Sequence, residues 1–512
     1  MPVKRHKFYR GIYYLLHSFL FLFVLLSIAL SPSVNALELN NVIIKSGARI
    51  DKKAMDKKLN PYLGKEIDIA LLQNILNEIS DYYRKNGYLA AQAFYPEQQS
   101  QNGVVEVIVK TAKLDDIKIS NYASLTPKTA YMLTENVRKF QGKEINSHEL
   151  NASLLKIKDL NIFDIAGYFE NSQNKADHAS LTIDLKGRSR FGYELSYDNY
   201  GNESTGKNRY TLSLNSLNLS KHADKGYLIL GTTDKKQNNI ILGYSIPFTS
   251  HPTIFGFQFN YGSYELGDTY DSLEVKGNSL GGNLYIKEPL YRTLDSRVNF
   301  TGGGYYKALT DKIESYSLEL KRNKFGGYFD FEASVFKEDL NFLNTLKLDY
   351  GLVQDKSNLS GDKSQRAYLL SNFDSKLDWN FYKNSSLINT FSVQYAQKAV
   401  DASDKFIPGG AYGVSAYDGS LASSDLGLFH DLKLQTKLMS KPYLDFFVNF
   451  MQAHAKNVEV EKKESFYAIG SGSNLSYGGF YLSASVSKAI GKNKEYAKDS
   501  AKFLLKAGYA KI

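Results

Sequence analysis

Apolar and polar side chains alternate in many segments of the chain after residue 188. In residues 190–198 (RFGYELSYD), aromatic and aliphatic side chains at odd positions alternate with Gly, Glu, Ser and Asp at even positions. The same two-residue period recurs in residues 255–262, 346–350 and 480–487. Because the side chains of a strand point alternately to its two faces, this pattern predicts β-strands with one apolar face.

The number and spacing of these segments favour a membrane barrel. Residues 188–512 are the last 325 of the 512 positions, and polar stretches such as residues 354–365 (QDKSNLSGDKSQ) separate the strands. At roughly 20 residues for each strand with its turn or loop, about 16 strands fit. We therefore expect a transmembrane β-barrel of about 16 antiparallel strands. A large soluble β-sandwich is the alternative, because its strands alternate in the same way.

The first 36 residues have the features of a secretory signal peptide in the expected order. Four basic residues come first, residues 19–30 form an apolar core, and the small side chains of Val34 and Ala36 precede the expected cleavage before Leu37. An uncleaved anchor is the competing interpretation, because the apolar run from Ile12 nearly reaches the length that spans a bilayer.

Composition excludes a bundle of membrane helices. The chain has 38 Tyr, 30 Phe, one Trp and a mean hydropathy of -0.35, whereas each helical span needs about 20 consecutive apolar residues. Without the four basic residues of segment 1–36, 59 of the 63 Lys and Arg remain against 53 Asp and Glu, a charge of +6. This charge is spread along the chain, so we expect no nucleic-acid partner. The absence of cysteine excludes disulfides and thiolate metal sites.

Residues 37–187 predict two small α+β modules in tandem. Helical spacing of apolar residues alternates here with short apolar strands, and Gly87 ends the longest helix. The first module is predicted as strand 39–44, helices 51–59 and 67–85, and strands 88–94 and 104–109. The second is predicted as strand 114–119, helices 126–140 and 148–160, and strands 166–170 and 181–185.

Several short motifs accompany these modules and the start of the barrel. They are residues 82–89 (YYRKNGYL), 95–98 (YPEQ), 244–247 (YSIP), 264–267 (YELG), 406–410 (FIPGG) and 414–417 (VSAY), together with Asp198, Asn199, Gly201, Thr205, Gly206 and Arg209. In this order and spacing they resemble the two-partner secretion transporters, the ShlB/FhaC/HecB-type haemolysin secretion/activation family. The resemblance covers nearly the whole chain after residue 37.

This resemblance implies a domain order and a function. It implies a signal peptide (1–36), POTRA domain 1 (37–113), POTRA domain 2 (114–187) and a transmembrane β-barrel (188–512) in the outer membrane, with the POTRA domains in the periplasm. Such a transporter recognises and exports a large secreted exoprotein of the haemolysin, haemagglutinin or adhesin kind by two-partner (type V) secretion. Its other expected partners are outer-membrane lipid, periplasmic chaperones and the barrel-assembly machinery. The alternative is a POTRA-barrel assembly factor, which commonly carries more than two POTRA domains.

The resemblance also suggests where the exoprotein binds. A POTRA domain offers a sheet edge and a groove between helix and sheet, to which an unfolded segment can add as a strand. We expect this edge at strand 88–94, beside helix 71–83. The partner-binding candidates are Tyr88, Leu89, Phe94, Pro96 and Gln98.

The loop around residues 406–421 occupies the place of the family's long lumenal loop. Family members usually have Val-Arg-Gly-Tyr at its tip, and the arginine is thought to pair with the aspartate of a Phe-x-Asp motif on the barrel wall. This chain has VSAY at 414–417 and Phe-Val-Asn at 447–449, so both charged partners are replaced by neutral groups. The candidates in the loop and wall are Gly409, Gly410, Val414, Ser415, Ala416, Tyr417 and Asn449.

No residue pattern predicts catalysis, a metal site or a cofactor. The eight histidines lack metal-ligand spacing, and Gly470-Ser471-Gly472 is expected between two strands, where a phosphate loop does not form. Asp355, Ser357 and Asp362 could bind calcium, although a solvated loop is the simpler interpretation. We also expect no plug helix before the first module, because cleavage after Ala36 leaves two residues before the strand at Leu39.

Overall fold

A computed structural model describes residues 37–98, 102–173, 175, 177–357, 365–419 and 421–511. The predicted signal peptide lies outside these residues. The chain separates into two compact units, one ending at Ala112 and the other beginning at Lys113. Among the described residues, no helix is both long and apolar enough to cross a membrane.

The first unit is a three-stranded sheet covered by two helices. Its elements are β1 (Asn41–Ser46), α1 (Lys52–Leu59), a short 3-10 helix (Asn60–Tyr62), α2 (Ile69–Lys85), β2 (Gln92–Phe94) and β3 (Val104–Lys110). The strand order is β1-β3-β2, with β1 parallel and β2 antiparallel to β3. Ile75 and Ile79 on α2 are fully buried against the alternate apolar residues of β3. Apolar residues recur along α2 at helical spacing, so they lie on the one face of the helix that covers the sheet.

Three predicted elements in this unit had boundaries that were wrong by two or more residues, and the first of them, strand 39–44, lies at Asn41–Ser46. The helix begins at Ile69 because Asp68 caps it, accepting from the Leu71 amide at 2.6 Å. The predicted strand 88–94 shortens to Gln92–Phe94, because the Tyr88 side chain packs into the core and its hydroxyl bonds the backbone of Arg49. That burial holds residues 88–91 in a turn.

The second unit begins with a module of the same topology. Its elements are β4 (Lys113–Asn121), α3 (Pro127–Arg138), α4 (Ser147–Lys158), β5 (Phe163–Asn171) and β6 (His178–Gly187). The strand order is β4-β6-β5, with β4 parallel and β5 antiparallel to β6. Leu133, Ile157 and Ile183 are fully buried between the helices and the sheet.

The rest of the second unit is a closed barrel of 16 strands, each antiparallel to its neighbours. The predicted transmembrane barrel of about 16 antiparallel strands is therefore confirmed. The strands are β7 (Phe191–Asp198), β8 (Arg209–Leu217), β9 (Lys225–Thr233), β10 (Asn238–Pro247), β11 (Ile254–Glu265), β12 (Val275–Arg292), β13 (Ser296–Ile313), β14 (Leu318–Lys337), β15 (Leu340–Asp355), β16 (Gln365–Tyr382), β17 (Ser385–Ala396), β18 (Leu426–Ser440), β19 (Tyr443–Lys456), β20 (Lys463–Tyr477), β21 (Phe480–Ile490) and β22 (Lys502–Lys511). Short 3-10 helices lie at Asp268–Leu273, Glu314–Tyr316, Ala402–Asp404 and Lys494–Tyr496.

The barrel closes where β22 pairs with β7. This ladder joins Lys506–Lys511 to Tyr193–Asp198. The Asn199 side chain extends it, donating to the Phe503 carbonyl at 3.0 Å and accepting from the Leu505 amide at 2.8 Å. The two neighbouring loops are also joined, since Glu203 contacts Lys498 of the other loop as well as Lys207 of its own. These two ammonium groups hold the pKa of Glu203 at about 2, so the contact stays charged at neutral pH.

Lumen-facing glycines lie against tyrosine rings of adjacent strands. A Cβ on Gly351 would lie 2.4 Å from the ring of Tyr368 on the neighbouring strand. Tyr368 is 1% exposed, and its hydroxyl donates to Asp404 at 2.9 Å, so the ring has no free space to move into. The same arrangement joins Gly243 with Tyr227, Gly256 with Tyr285, and Gly277 with Tyr264. These pairs fix the register of adjacent strands.

The second α+β module is attached to turns at one end of the barrel. Arg292, which precedes the turn after β12, pairs with Asp159 at 2.8 Å. Asn136 donates to the Ser250 carbonyl at 2.8 Å, and Asn218 donates to the Ala123 carbonyl at 2.9 Å. Three consecutive turns of the barrel therefore hold this module at the end opposite to the loop between β17 and β18.

The glycine–tyrosine packing predicts a difference between two Gly→Ala substitutions. Gly351→Ala should destabilise the barrel by about 1–3 kcal/mol through overpacking. Gly304→Ala is the matched control, because its Cβ would meet its nearest neighbour, the Gly326 carbonyl, at an ordinary 3.6 Å. The temperature at which the folded barrel unfolds in detergent, followed by gel mobility, should fall for the first variant only. Equal temperatures would contradict the packing argument.

Candidate functional site

The five partner-binding candidates of the first unit lie in different environments. Tyr88 is 7% exposed and belongs to the core, whereas Leu89 is 67% exposed. Phe94 and Pro96 are half-buried. The half-buried Gln98 bonds both backbone groups of Glu106, donating to its carbonyl at 2.6 Å and accepting from its amide at 2.9 Å. Gln98 thus covers the part of β3 that β2 leaves unpaired.

The two edges of this sheet differ in length and in what covers them. The outer side of β2 contacts α2, since Ser80 Oγ accepts from the Ala93 amide at 2.9 Å and Arg84 Nε donates to the Ala91 carbonyl at 3.1 Å. Among the described residues, β1 pairs only with β3. β1 is six residues long, against three for β2, and it carries the exposed Ile43. The longer uncovered edge is therefore β1, which the sequence did not predict.

The lumenal loop, residues 397–425, connects β17 to β18 and folds back on itself. Bridges join Phe406 to Ser424 and Gly409 to Val414. Gly410 has a φ of +84°, and a Cβ on Gly409 would lie 2.4 Å from the Asp418 carbonyl. Both predicted glycines therefore occupy positions where a side chain would strain the turn.

The candidate residues that follow the turn at Gly409 and Gly410 pack on the barrel wall. Val414 is 0%, Ala416 5% and Tyr417 1% exposed. They form an apolar cluster with residues of β19 and β20, in which the Tyr417 ring meets the Phe466 ring edge-on at 5.0 Å. Lys502 of β22 also donates to the Tyr417 carbonyl at 3.0 Å. The returning arm of the loop is thereby held against the β19–β22 wall.

Ser415 and Asn449 line one cavity of about 300 Å³ and have different partners. Ser415 Oγ donates to the Met451 sulfur at 3.3 Å, and Asn449 Nδ2 donates to Asp431 at 2.7 Å. Asp431 lies on β18, where its ladder partner on β19 is Met451, and it lines the same cavity. The wall here thus carries its carboxylate one strand away from Asn449.

The base of the lumenal loop is held by ion pairs that the sequence did not predict. Asp401 pairs with Arg322 at 2.6 Å, and Asp404 pairs with Lys324 at 2.5 Å. Lys324 is 4% exposed, and its ammonium also lies over the Tyr368 ring at 5.4 Å. The partners are about 80 residues apart in the chain, so no local pattern could identify them.

Two other candidate sites are placed as follows. Gly470–Gly472 lie inside β20, not between strands as predicted. Asp355 accepts from the Ser357 amide at 2.8 Å, and Asp362 lies outside the described residues. Within the described ranges, no group of three or more His, Asp or Glu side chains is placed to hold a metal ion.

Comparisons with known proteins agree with this architecture. The family model of the haemolysin secretion/activation protein ShlB/FhaC/HecB matches residues 177–450, and the ShlB-type POTRA domain matches residues 37–110. The heme/hemopexin transporter protein HuxB of Haemophilus influenzae is 28% identical over 463 residues, which cover 85% of this chain and 80% of HuxB.

Two solved structures have a similar fold. CdiB from Escherichia coli superposes with a TM-score of 0.74 at 15% identity, covering 94% of this chain and 92% of that chain. CdiB from Acinetobacter baumannii gives a TM-score of 0.73 at 17% identity, covering 93% and 90% of the two chains.

The buried ion pair at the loop base predicts a non-additive effect. Lys324→Met or Asp404→Asn alone leaves a buried group without its partner, which costs about 3 kcal/mol, and should loosen the loop. The open fraction, which is the fraction of time that the pore conducts in planar lipid bilayers, should rise for each single variant. The double variant should show a smaller rise than the sum of the two, because both partners are removed together. Additive effects would mean that the two residues act separately.

Proposed function

The chain belongs to the haemolysin secretion/activation protein (ShlB/FhaC/HecB) family, and we propose that it passes a large β-rich exoprotein in extended form through its barrel lumen. It is an outer-membrane two-partner secretion transporter with periplasmic POTRA domains. Residues 37–187 hold two such modules, which favours export over barrel assembly.

The way in which the lumenal loop is attached to the barrel wall supports the proposed route. A barrel of 16 strands encloses an aqueous channel, and the loop 397–425 lies within it. Its two bridges join the loop to itself, while side chains such as Asp404 and Tyr417 attach it to the wall. The loop can therefore leave the lumen without breaking a strand ladder. Its departure exposes polar wall residues such as Lys324 to water, together with the apolar patch around Phe466 on β19 and β20.

The proposed capture step uses the first POTRA domain. An extended exoprotein segment adds as a strand to a sheet edge, where main-chain hydrogen bonds give affinity with little demand on sequence. Unpaired strand edges bind other chains in this way. The length of β1 favours its edge, whereas Leu89, Phe94 and Pro96 lie beside the shorter edge at β2. Folding of the exoprotein outside the cell then supplies the direction of transport.

A reversible cross-link between the loop and the wall should stop transport. The chain has no cysteine, and Ser415 Oγ lies 3.3 Å from the Met451 sulfur, so the double variant Ser415→Cys/Met451→Cys creates one unique pair of thiols. A cysteine sulfur lies closer to the backbone than the Met451 sulfur, so a short bis-methanethiosulfonate linker is used to join the two thiols through disulfides. Export of the exoprotein should cease after linking and return after reduction, and each single cysteine variant should export under both conditions. Unchanged export by the fully cross-linked double variant would rule out the loop as a gate.

Removal of the first POTRA domain should abolish export and leave the barrel intact. The second unit has its own core, so a deletion of residues 38–112 should still give a folded barrel in the outer membrane. Export and barrel folding are measured on the same cells by immunoblotting and by gel mobility without heating. Normal export by the deletion variant would contradict the capture step.

The two edges can be compared with matched point variants. Ile43 lies on β1 and Leu89 beside β2, and both are exposed apolar side chains, so a lysine at either position should not disturb the core. We expect Ile43→Lys to reduce export more than Leu89→Lys. The reverse order would identify the β2 edge as the capture site, as the sequence alone predicts.

A further inference from the structure

The motif from Asp198 to Arg209 has no role in the function described so far. Asp198 ends β7 and Arg209 begins β8, and the two residues are direct partners in the ladder. Arg209 Nε and Nη2 donate to the two carboxylate oxygens of Asp198 at 2.6 and 3.1 Å. Asp198 is 4% exposed. This two-point contact fixes the direction of the guanidinium, which remains partly open to the lumen.

The tip of the lumenal loop meets this guanidinium through one side chain. Arg209 Nη2 donates to the Tyr412 hydroxyl at 3.3 Å, and the guanidinium carbon lies 5.8 Å from the centre of the Tyr412 ring. Tyr200 completes the group, with its ring 5.6 Å from the guanidinium and edge-on to Tyr412 at 6.1 Å. A cation shared between two aromatic rings is attracted to both faces.

Among the described residues, the rest of the tip does not pack on the wall formed by β8 to β10. A cavity of about 570 Å³ separates residues 407–412 from the wall formed by β8 to β10. Tyr412 itself is 79% exposed. The contact with Arg209 and Tyr200 therefore holds the tip in place, since close packing is absent on that side of the described structure.

This contact differs in strength from the other attachments of the loop. The base is held by the ion pairs of Arg322 and of the buried Lys324, and the returning arm by the buried Tyr417 and its cluster. Exposed contacts of the Arg209–Tyr412 kind are weak compared with buried ones. When Tyr412 moves away, Arg209 keeps Asp198 as its partner, so no buried charge is left unpaired. The tip is thus the part of the loop that separates at the lowest cost.

We propose that Arg209, oriented by Asp198, is a positioning residue that latches the tip of the lumenal loop through Tyr412 and keeps the resting pore closed. The cation of this latch belongs to the first hairpin of the barrel, and the loop supplies a neutral aromatic hydroxyl. The latch opens first when the loop leaves the lumen. This role rests on the proposed gating by the loop, and it concerns the resting state without the exoprotein.

Conductance of the purified full-length protein in planar lipid bilayers tests the latch without any exoprotein. Tyr412→Ala should raise the open fraction roughly three- to tenfold, because the ring and hydroxyl contacts are both lost. Tyr412→Phe should raise it less, since the ring still faces the guanidinium. Ile407→Ala is the matched control, because Ile407 is 53% exposed and lines the same cavity, and it should behave as the natural chain.

The variant Arg209→Lys distinguishes loss of the latch from loss of barrel structure as the cause of a higher open fraction. Lysine keeps the charge beside Asp198 but lacks the two-pronged geometry, so the open fraction should rise while gel mobility still reports a folded barrel. An open fraction for Tyr412→Ala equal to that of Ile407→Ala would overturn the latch. So would an effect of Arg209→Lys that adds fully to that of Tyr412→Ala in the double variant.

Export assays on the same variants distinguish failure of the latch from failure of the proposed function. One outcome is that Tyr412→Ala raises the conductance in bilayers while the natural chain exports no exoprotein in cells. This outcome would support the latch and reject the export route. Export by the natural chain with no conductance change in Tyr412→Ala would reject the latch and leave the export route standing.

Discussion

The backbone of the barrel must satisfy its hydrogen bonds without water. Within a bilayer every backbone amide and carbonyl must find a partner inside the protein, and a closed sheet satisfies all of them at once. The 16 strands meet this requirement only because β22 returns to pair with β7. Closure in turn gives each strand one face toward lipid and one toward the lumen. The alternation of Phe255 and Phe257 with Gly256 and Gln258 follows from this geometry.

The same constraint decides how anything inside the lumen can be held. Most backbone groups of the wall are already used in the ladders, so most attachments of the lumenal loop are made by side chains. The attachments include ion pairs at its base, an apolar cluster and the Lys502 contact on its returning arm, and the contact of Tyr412 with Arg209 and Tyr200 at its tip. Their strengths differ because their burial differs. A graded set of attachments allows the loop to separate from the wall in stages, beginning at its exposed end.

The fold was predictable from the sequence to the extent that its signals are local. Alternation that recurs across residues 188–512 favours a barrel, and helical spacing ended by Gly87 predicts α2, although its N-cap at Asp68 was missed. The site was less predictable. The strand at 88–94 was overestimated because its apolar residues include Tyr88, which belongs to the core. Asn449 suggested a lost carboxylate, since reading along β19 cannot reveal Asp431 on the adjacent strand. Pairs such as Asp404 with Lys324 are joined only by the closed barrel, across 80 residues.

The contact between Asn199 and the last strand has a consequence for the kinetics of assembly. Its hydrogen bonds to Phe503 and Leu505 join residues that are 304 and 306 positions apart in the chain. Contacts of such long sequence separation form late, because closing a large loop of chain costs entropy before it gives any stabilisation. The edges of β7 and β22 therefore stay unpaired until the other fifteen ladders exist. During that interval the folding intermediate has two unpaired strand edges. The rate of barrel closure therefore determines how long these edges are exposed to aggregation.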